Sequence, residues 1–99
     1  MKYYFFKLIP PRPDFAQTMT AQEKSIMQAH VGYWTNSLKR GDAIAFGPVA
    51  DPSGGYGIGI IQLPEDVDPS TLRDNDPAMK ANVRFRTEIY SMPMLIANI

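Results

Sequence analysis

A single imidazole and a distant carboxylate are the two side chains of this sequence best suited to chemistry. His30 is the only histidine, and it lies in a segment with the spacing of an amphipathic helix. Asp76 lies far along the chain, in the tripeptide Asp76-Pro77-Ala78. A carboxylate that accepts a hydrogen bond from one ring nitrogen fixes the tautomer and leaves the other nitrogen to take or give a proton. If folding brings the two together, the pair predicts acid–base catalysis without a cofactor.

Each member of this pair also has a structural interpretation. A partly buried helix histidine is equally satisfied by a backbone carbonyl or a water molecule. An aspartate before a proline is an ordinary helix N-cap, which contributes about 1 kcal/mol. The chain has the same dipeptide at Asp51 and Asp68, so the dipeptide alone does not single out Asp76. The residues by themselves leave a catalytic pair and a structural hydrogen bond both open.

Other residues are candidates for binding a substrate. Arg12 lies beside Phe15 in a proline-stiffened loop, where it would clamp a carboxylate in a bidentate pair or simply be solvated. Five more candidates would line an aromatic pocket or allow a ligand close to the backbone, although core packing and a strand-ending turn explain them too: Phe6, Trp34, Phe46, Gly47 and Pro48. With one histidine and no cysteine, a structural zinc site is implausible, and no cofactor is predicted.

Composition narrows the class of protein. Hydrophobic residues make up 44% and charged residues 20% of residues 1–99, which is typical of one folded globular domain. The ten Lys and Arg balance the ten Asp and Glu, which argues against nucleic acid or an anionic membrane as the partner. The N-terminal apolar run does not have the pattern of a signal peptide, because Lys7 interrupts it and Pro10-Pro11 ends it early. No apolar stretch is long enough to span a bilayer. We therefore expect a cytoplasmic protein.

The first half of the chain predicts a strand, a loop and a long helix. Residues 3–9 alternate with both faces apolar, which predicts a strand covered by helices on one side and by a second subunit on the other. The prolines that follow predict a loop over residues 10–19. Thr20 and Glu23 have the spacing of a capping box, and the helix should run to about Arg40 and end at Gly41. Its predicted apolar stripe, which His30 borders, is Met27, Val31, Trp34 and Leu38.

The second half predicts a hairpin, two short helices and a last strand. Strands are predicted over residues 43–46, where Gly47-Pro48 ends the first, and over 56–63 and 83–90. Short helices should begin after Asp68 and Asp76, each with proline at the first helical position. Residues 94–97 would either extend the sheet or reach a partner subunit.

The resulting order, β-α-β-β-α-β, predicts an α+β protein of the ferredoxin-like type, with an antiparallel sheet and two helices on one face. The other face would be bare and apolar in a monomer. An exposed apolar surface of that size predicts association. We therefore expect a two-fold homodimer that packs sheet on sheet.

These residues, taken in order, resemble the YCII-related (YciI-like) family along nearly the whole chain. The resemblance lies in the opening Met1-Lys2-Tyr3-Tyr4-Phe5, His30 in the first helix, Gly41 after it, Phe46-Gly47-Pro48, the glycine-rich hairpin and Asp76-Pro77. The segment Leu8-Ile9-Pro10-Pro11-Arg12-Pro13-Asp14-Phe15 looks like one branch of that family. No single motif is specific, so the order and spacing of the motifs support the resemblance.

The resemblance implies a dimeric α+β barrel and an active site built on a His-Asp pair, which corresponds here to His30 and Asp76. The family is similar in fold to muconolactone isomerases, and a few members are associated with dehalogenation or isomerisation of ring-derived metabolites. The leading hypothesis is thus an isomerase or lyase that removes a proton next to a carbonyl group. The alternative is a non-catalytic module for small-ligand binding or dimeric assembly.

Overall fold

The computed structural model describes residues 1–98, which form an antiparallel four-stranded sheet with helices packed on one face. The α+β class predicted from the sequence is confirmed. The strands lie in the order β2-β3-β1-β4. In chain order the elements are β1 (Lys2–Ile9), α1 (Phe15–Thr18), α2 (Ala21–Arg40), β2 (Ala43–Val49), β3 (Tyr56–Leu63), α3 (Pro69–Asp74), α4 (Pro77–Lys80) and β4 (Arg86–Met92).

The central strand β1 divides its side chains between two environments. Tyr4, Phe6 and Leu8 are buried beneath the helices, while Tyr3 and Phe5 on the opposite face are only half-buried. This period of two is the geometry of a pleated strand. β1 pairs with β3 on one side and β4 on the other, so its inward residues form the middle of the core.

The long helix α2 begins and ends at the predicted residues. The Thr20 hydroxyl accepts from the Glu23 backbone N–H, and the Glu23 carboxylate accepts from the Thr20 N–H, completing the capping box. Gly41 ends the helix with a φ of 91°, a left-handed conformation that favours glycine. These two ends fix where His30 lies along the helix.

The predicted apolar stripe of α2 is only partly right. Trp34 is 5% exposed, but Val31 is 49% and Leu38 is 38% exposed. The buried line runs instead through Trp34 and the fully buried Ser37, with His30 partly buried one turn earlier. His30 therefore faces the body of the protein, whereas the half-exposed Val31 lines a cavity between α2 and the sheet.

Three element boundaries differ from the sequence prediction. The loop over residues 10–19 contains the one-turn helix α1, because Phe15 is buried against Phe85 with ring centroids 5.2 Å apart. Strand β2 continues through Pro48, which an edge strand tolerates because its missing N–H costs no ladder bond. Strand β4 begins at Arg86 rather than 83, since the left-handed φ of 75° at Arg84 interrupts extended backbone.

Residues 94–97 do not extend the sheet, and Met94 and Ile96 are 65% and 87% exposed. Among residues 1–98, no helix combines the length and apolar character needed to cross a membrane.

Candidate functional site

A cavity of about 320 Å³ lies between α2 and the inner face of the sheet. Its walls are mainly aromatic, aliphatic and glycine residues from β1, α2, β2 and β3. Apolar cavities with a few polar groups are the usual form of a small-molecule site. Seven of the eight residues predicted for the site line this cavity: His30, Asp76, Phe6, Trp34, Phe46, Gly47 and Pro48.

The structure brings His30 and Asp76 together across 46 positions of sequence. The Nδ1 atom of His30 lies 2.9 Å from both carboxylate oxygens of Asp76. The two side chains are 12% and 4% exposed, so solvent competes little for this hydrogen bond. The contact follows from packing of α2 against α4, the short helix that Asp76 caps.

Asp76 is held by two further donors. Its Oδ1 accepts from the backbone N–H of Ala78 at 2.9 Å, the N-cap bond of α4. Its Oδ2 accepts from the indole Nε1–H of Trp34 at 2.8 Å. Both oxygens of an ionised Asp76 are acceptors, so we expect Nδ1 to carry the hydrogen of the bond. The same carboxylate thus caps α4 and bonds to His30, so Asp76 is both a helix cap and the partner of the histidine.

The second ring nitrogen of His30 remains accessible. Every fully buried side-chain nitrogen or oxygen among residues 1–98 has a hydrogen-bond partner. Nε2 makes no hydrogen bond to these residues. Nε2 is therefore not buried, and His30 belongs to the cavity wall. With Nδ1 as donor, a neutral ring has the Nε2 lone pair available to take a proton.

Trp34 joins the carboxylate to the aromatic wall of the cavity. Its ring meets Phe6 edge-to-face at 5.7 Å between centroids and lies 6.3 Å from Phe46. Gly59 on β3 lies against the indole, where an added Cβ would be in ordinary van der Waals contact with the Trp34 ring at 3.6 Å. The aromatic residues predicted as pocket or as core serve both roles here.

Tyr33, next to Trp34, fixes α3 beside α2. Its hydroxyl donates to the backbone carbonyl of Leu72 at 2.6 Å. Burial, and then the negative charge of Asp76, raise the pKa of Tyr33 above its ordinary value. Tyr33 thus stays a protonated donor at neutral pH and holds α3 close to the cavity.

Arg12, the eighth predicted residue, lies outside the cavity lining. Its Nη1 and Nη2 donate to the two oxygens of Glu23 at 2.9 and 2.7 Å, and Nε donates to the Thr18 hydroxyl at 2.8 Å. The hydrogen bond from Arg12, followed by that from the Thr20 N–H, lowers the pKa of Glu23 to about 2. Arg12 ties the proline-rich loop to the start of α2, and each of its three side-chain nitrogens donates to Thr18 or Glu23.

Sequence reasoning missed Arg73, which does line the cavity. Arg73 lies in the last turn of α3, and its carbonyl accepts from the Asp76 N–H at 3.1 Å. No sequence pattern marks Arg73 itself, and only its position three residues before Asp76 points to it.

The site contains no group of three or more His, Asp or Glu side chains placed to hold a metal ion, as far as residues 1–98 are concerned. No protein-family model matches the chain, and no curated protein matches it. The resemblance to the YCII-related family therefore stays a prediction from the residues quoted above.

Proposed function

We propose that this protein is a cofactor-independent acid–base enzyme, an isomerase or a lyase, acting on a small ring-derived metabolite. The observation that carries the proposal is the hydrogen bond between His30 and Asp76 at the wall of an apolar cavity. In this proposal His30 is the general acid or base and Asp76 orients its ring. Trp34 and the N-cap bond hold the carboxylate in place.

The reaction begins with removal of a proton from a carbon next to a carbonyl group. Nε2 of His30 takes the proton, the C–H electron pair moves into an enolate, and Asp76 stabilises the imidazolium through Nδ1. Return of the proton to a second carbon completes an isomerisation. Loss of a leaving group such as halide from the β-carbon completes an elimination, after which the imidazolium releases its proton to solvent.

The cavity suits a substrate with an apolar ring. Phe6, Trp34 and Phe46 offer aromatic surface, and Gly47 and Pro48 bring the backbone of edge strand β2 to the wall. An apolar lining lowers the local dielectric, which strengthens the interaction between imidazolium and carboxylate.

The ferredoxin-like assignment and the family resemblance belong to this proposal. The strand order β2-β3-β1-β4, with helices between β1 and β2 and between β3 and β4, supports a ferredoxin-like fold. The contact between His30 and Asp76 is the one that membership of the YCII-related family would require.

A homodimer packed through the outer sheet face, giving a dimeric α+β barrel, is also proposed. Phe5 lies there between Ile60 and Tyr90, its register partners, and Tyr90 is 51% exposed. Half-exposed aromatic and branched side chains on one flat face favour burial against a second copy. Light scattering at micromolar concentration should give twice the chain mass of 11.1 kDa, and a monomeric mass would contradict the dimer.

Solvent deuterium exchange tests the catalytic proposal even while the product is unidentified. The protein is incubated in D₂O with a panel of unsaturated lactones, cyclic enones and their halogenated forms, and loss of the α-proton signal is followed by NMR. Wild type should speed exchange or elimination for at least one compound, and His30→Gln should slow it about a hundredfold or more. No acceleration across the panel, or an equal rate in the folded His30→Gln protein, would contradict the proposal.

The second candidate is a module that binds a small ligand, or assembles as a dimer, without turnover. The apolar cavity and the outer sheet face favour it, because neither requires the dyad to transfer a proton. Ligand binding that is detectable without any exchange in the panel would favour this candidate.

A further inference from the structure

We infer that the cavity takes an organic carboxylate, with Arg73 binding the carboxylate group and the aromatic wall receiving the apolar body. This inference names a substrate class for the proposed enzyme and rests on the cavity being its substrate site. Among the residues described, Arg73 is the one Lys or Arg in the cavity lining.

The backbone fixes Arg73 beside the proposed dyad. The Asp76 N–H donates to the Arg73 carbonyl, so the last turn of α3 is bonded directly to the N-cap of α4. The Tyr33 hydroxyl holds the neighbouring Leu72 carbonyl at 2.6 Å and anchors the end of α3 on α2. Arg73 and His30 thus line the same cavity.

The guanidinium of Arg73 keeps donors for a ligand. Its Nε donates to Asp74 Oδ1 at 2.8 Å, and within residues 1–98 its two terminal nitrogens make no hydrogen bond. The Asp74 side chain is 63% exposed, so water screens its charge. Arg12 is the contrast, since Glu23 and Thr18 occupy its Nε and both terminal nitrogens. Two parallel N–H donors match a planar carboxylate.

The lining explains why one anionic group is expected rather than several. Arg73 is the only fixed positive charge described there, and most of the remaining wall is aromatic or aliphatic. A second anionic group would be desolvated without a partner, which is costly. The ligand class is therefore an amphiphilic monocarboxylate whose apolar part fits a volume of about 320 Å³.

Paired titrations with phenylacetate and the neutral phenylacetamide test this inference. The fluorescence of Trp34, the only tryptophan, reports binding because its ring lines the cavity. Wild type should bind phenylacetate about tenfold more tightly than the amide, the worth of one charge-assisted interaction. Arg73→Gln should bind both probes equally, and Arg73→Lys should keep part of the preference because it retains charge without the fork.

The matched control is Arg86→Gln, which removes an exposed arginine of β4 that does not line the cavity. It should retain the tenfold preference. Equal affinities in wild type, a preference that survives in Arg73→Gln, or no binding of either probe at millimolar concentration would each overturn the inference. The titrations involve no turnover, so an Arg73-dependent preference without deuterium exchange would refute the enzyme and leave the carboxylate site standing.

Discussion

Asp76→Asn tests whether the carboxylate of Asp76 holds three donors or only caps helix α4. Each oxygen of Asp76 accepts from one fixed N–H: Oδ1 from the Ala78 backbone and Oδ2 from Nε1 of Trp34. Nδ1 of His30 lies 2.9 Å from each of the two oxygens. An asparagine offers one oxygen and one NH₂ group. In either orientation its NH₂ faces a buried donor, and one hydrogen bond of the network is lost.

The expected cost follows from that loss. A hydrogen bond to a charged group contributes about 1.5–3 kcal/mol, and a buried donor left without an acceptor loses its hydration as well. We expect Asp76→Asn to lower the free energy of unfolding by about 2–3 kcal/mol. The N-cap itself contributes little to this difference, because asparagine caps helices about as well as aspartate.

Asp68→Asn is the matched control, because Asp68 also precedes proline and caps a short helix. Its Oδ1 accepts from the Ser70 N–H at 2.9 Å, with no indole or imidazole donor. Urea unfolding followed by circular dichroism, at one protein concentration, should show a cost below about 0.5 kcal/mol for this control. Equal costs for the two variants would refute the network.

A double-mutant cycle with Trp34→Phe tests whether the cost of Asp76→Asn arises at the indole N–H of Trp34. Phenylalanine removes the indole N–H, so the NH₂ of an asparagine at position 76 would face no donor there. Asp76→Asn should then cost about 1 kcal/mol less than in wild type. A cost unchanged by Trp34→Phe would show that the indole does not hold the carboxylate.

Three further predictions concern the loop, the helix end and the outer sheet face. The pKa of Glu23 is lowered from 4.5 to about 2, so its pairing with Arg12 stabilises the fold fully above pH 4.5 and is lost as pH falls through about 2. The difference in melting temperature between wild type and Glu23→Gln should therefore disappear as pH falls over that window. A difference that stays constant would contradict this prediction. Gly41→Ala should cost about 1 kcal/mol in urea unfolding, given its φ of 91°, and a neutral result would show that the helix end relaxes. Phe5→Glu on the outer face should lower the mass measured by sedimentation equilibrium towards that of a monomer, and an unchanged dimer would move the interface elsewhere.

Local signals predicted much of the fold. The capping box at Thr20 and Glu23, the left-handed cap at Gly41 and the Asp-Pro helix starts depend on neighbouring residues, and the structure confirms them. Strand β3 also has its predicted ends. Errors arose where tertiary contacts decided, as when burial of Phe15 turned part of a predicted loop into a helix.

The candidate site shows the same division. The sequence indicated His30 and Asp76, but not that Trp34 donates to the same carboxylate, because that bond depends on how α2 packs against α4. Arg12 had the better local pattern for an anion clamp, yet Glu23 on α2 occupies its donors. Arg73 showed no local signal of its own and reaches the cavity only through the turn that precedes Asp76.

The tautomer of the single histidine tests the central claim most directly. Long-range ¹H–¹⁵N NMR on uniformly labelled protein identifies which nitrogen of the neutral His30 ring carries hydrogen, and the assignment is unambiguous because the chain has one histidine. We expect the hydrogen on Nδ1, bonded to Asp76, and Nε2 unprotonated. Asp76→Asn should weaken that preference. A ring with hydrogen mainly on Nε2, unchanged by Asp76→Asn, would contradict the proposed dyad.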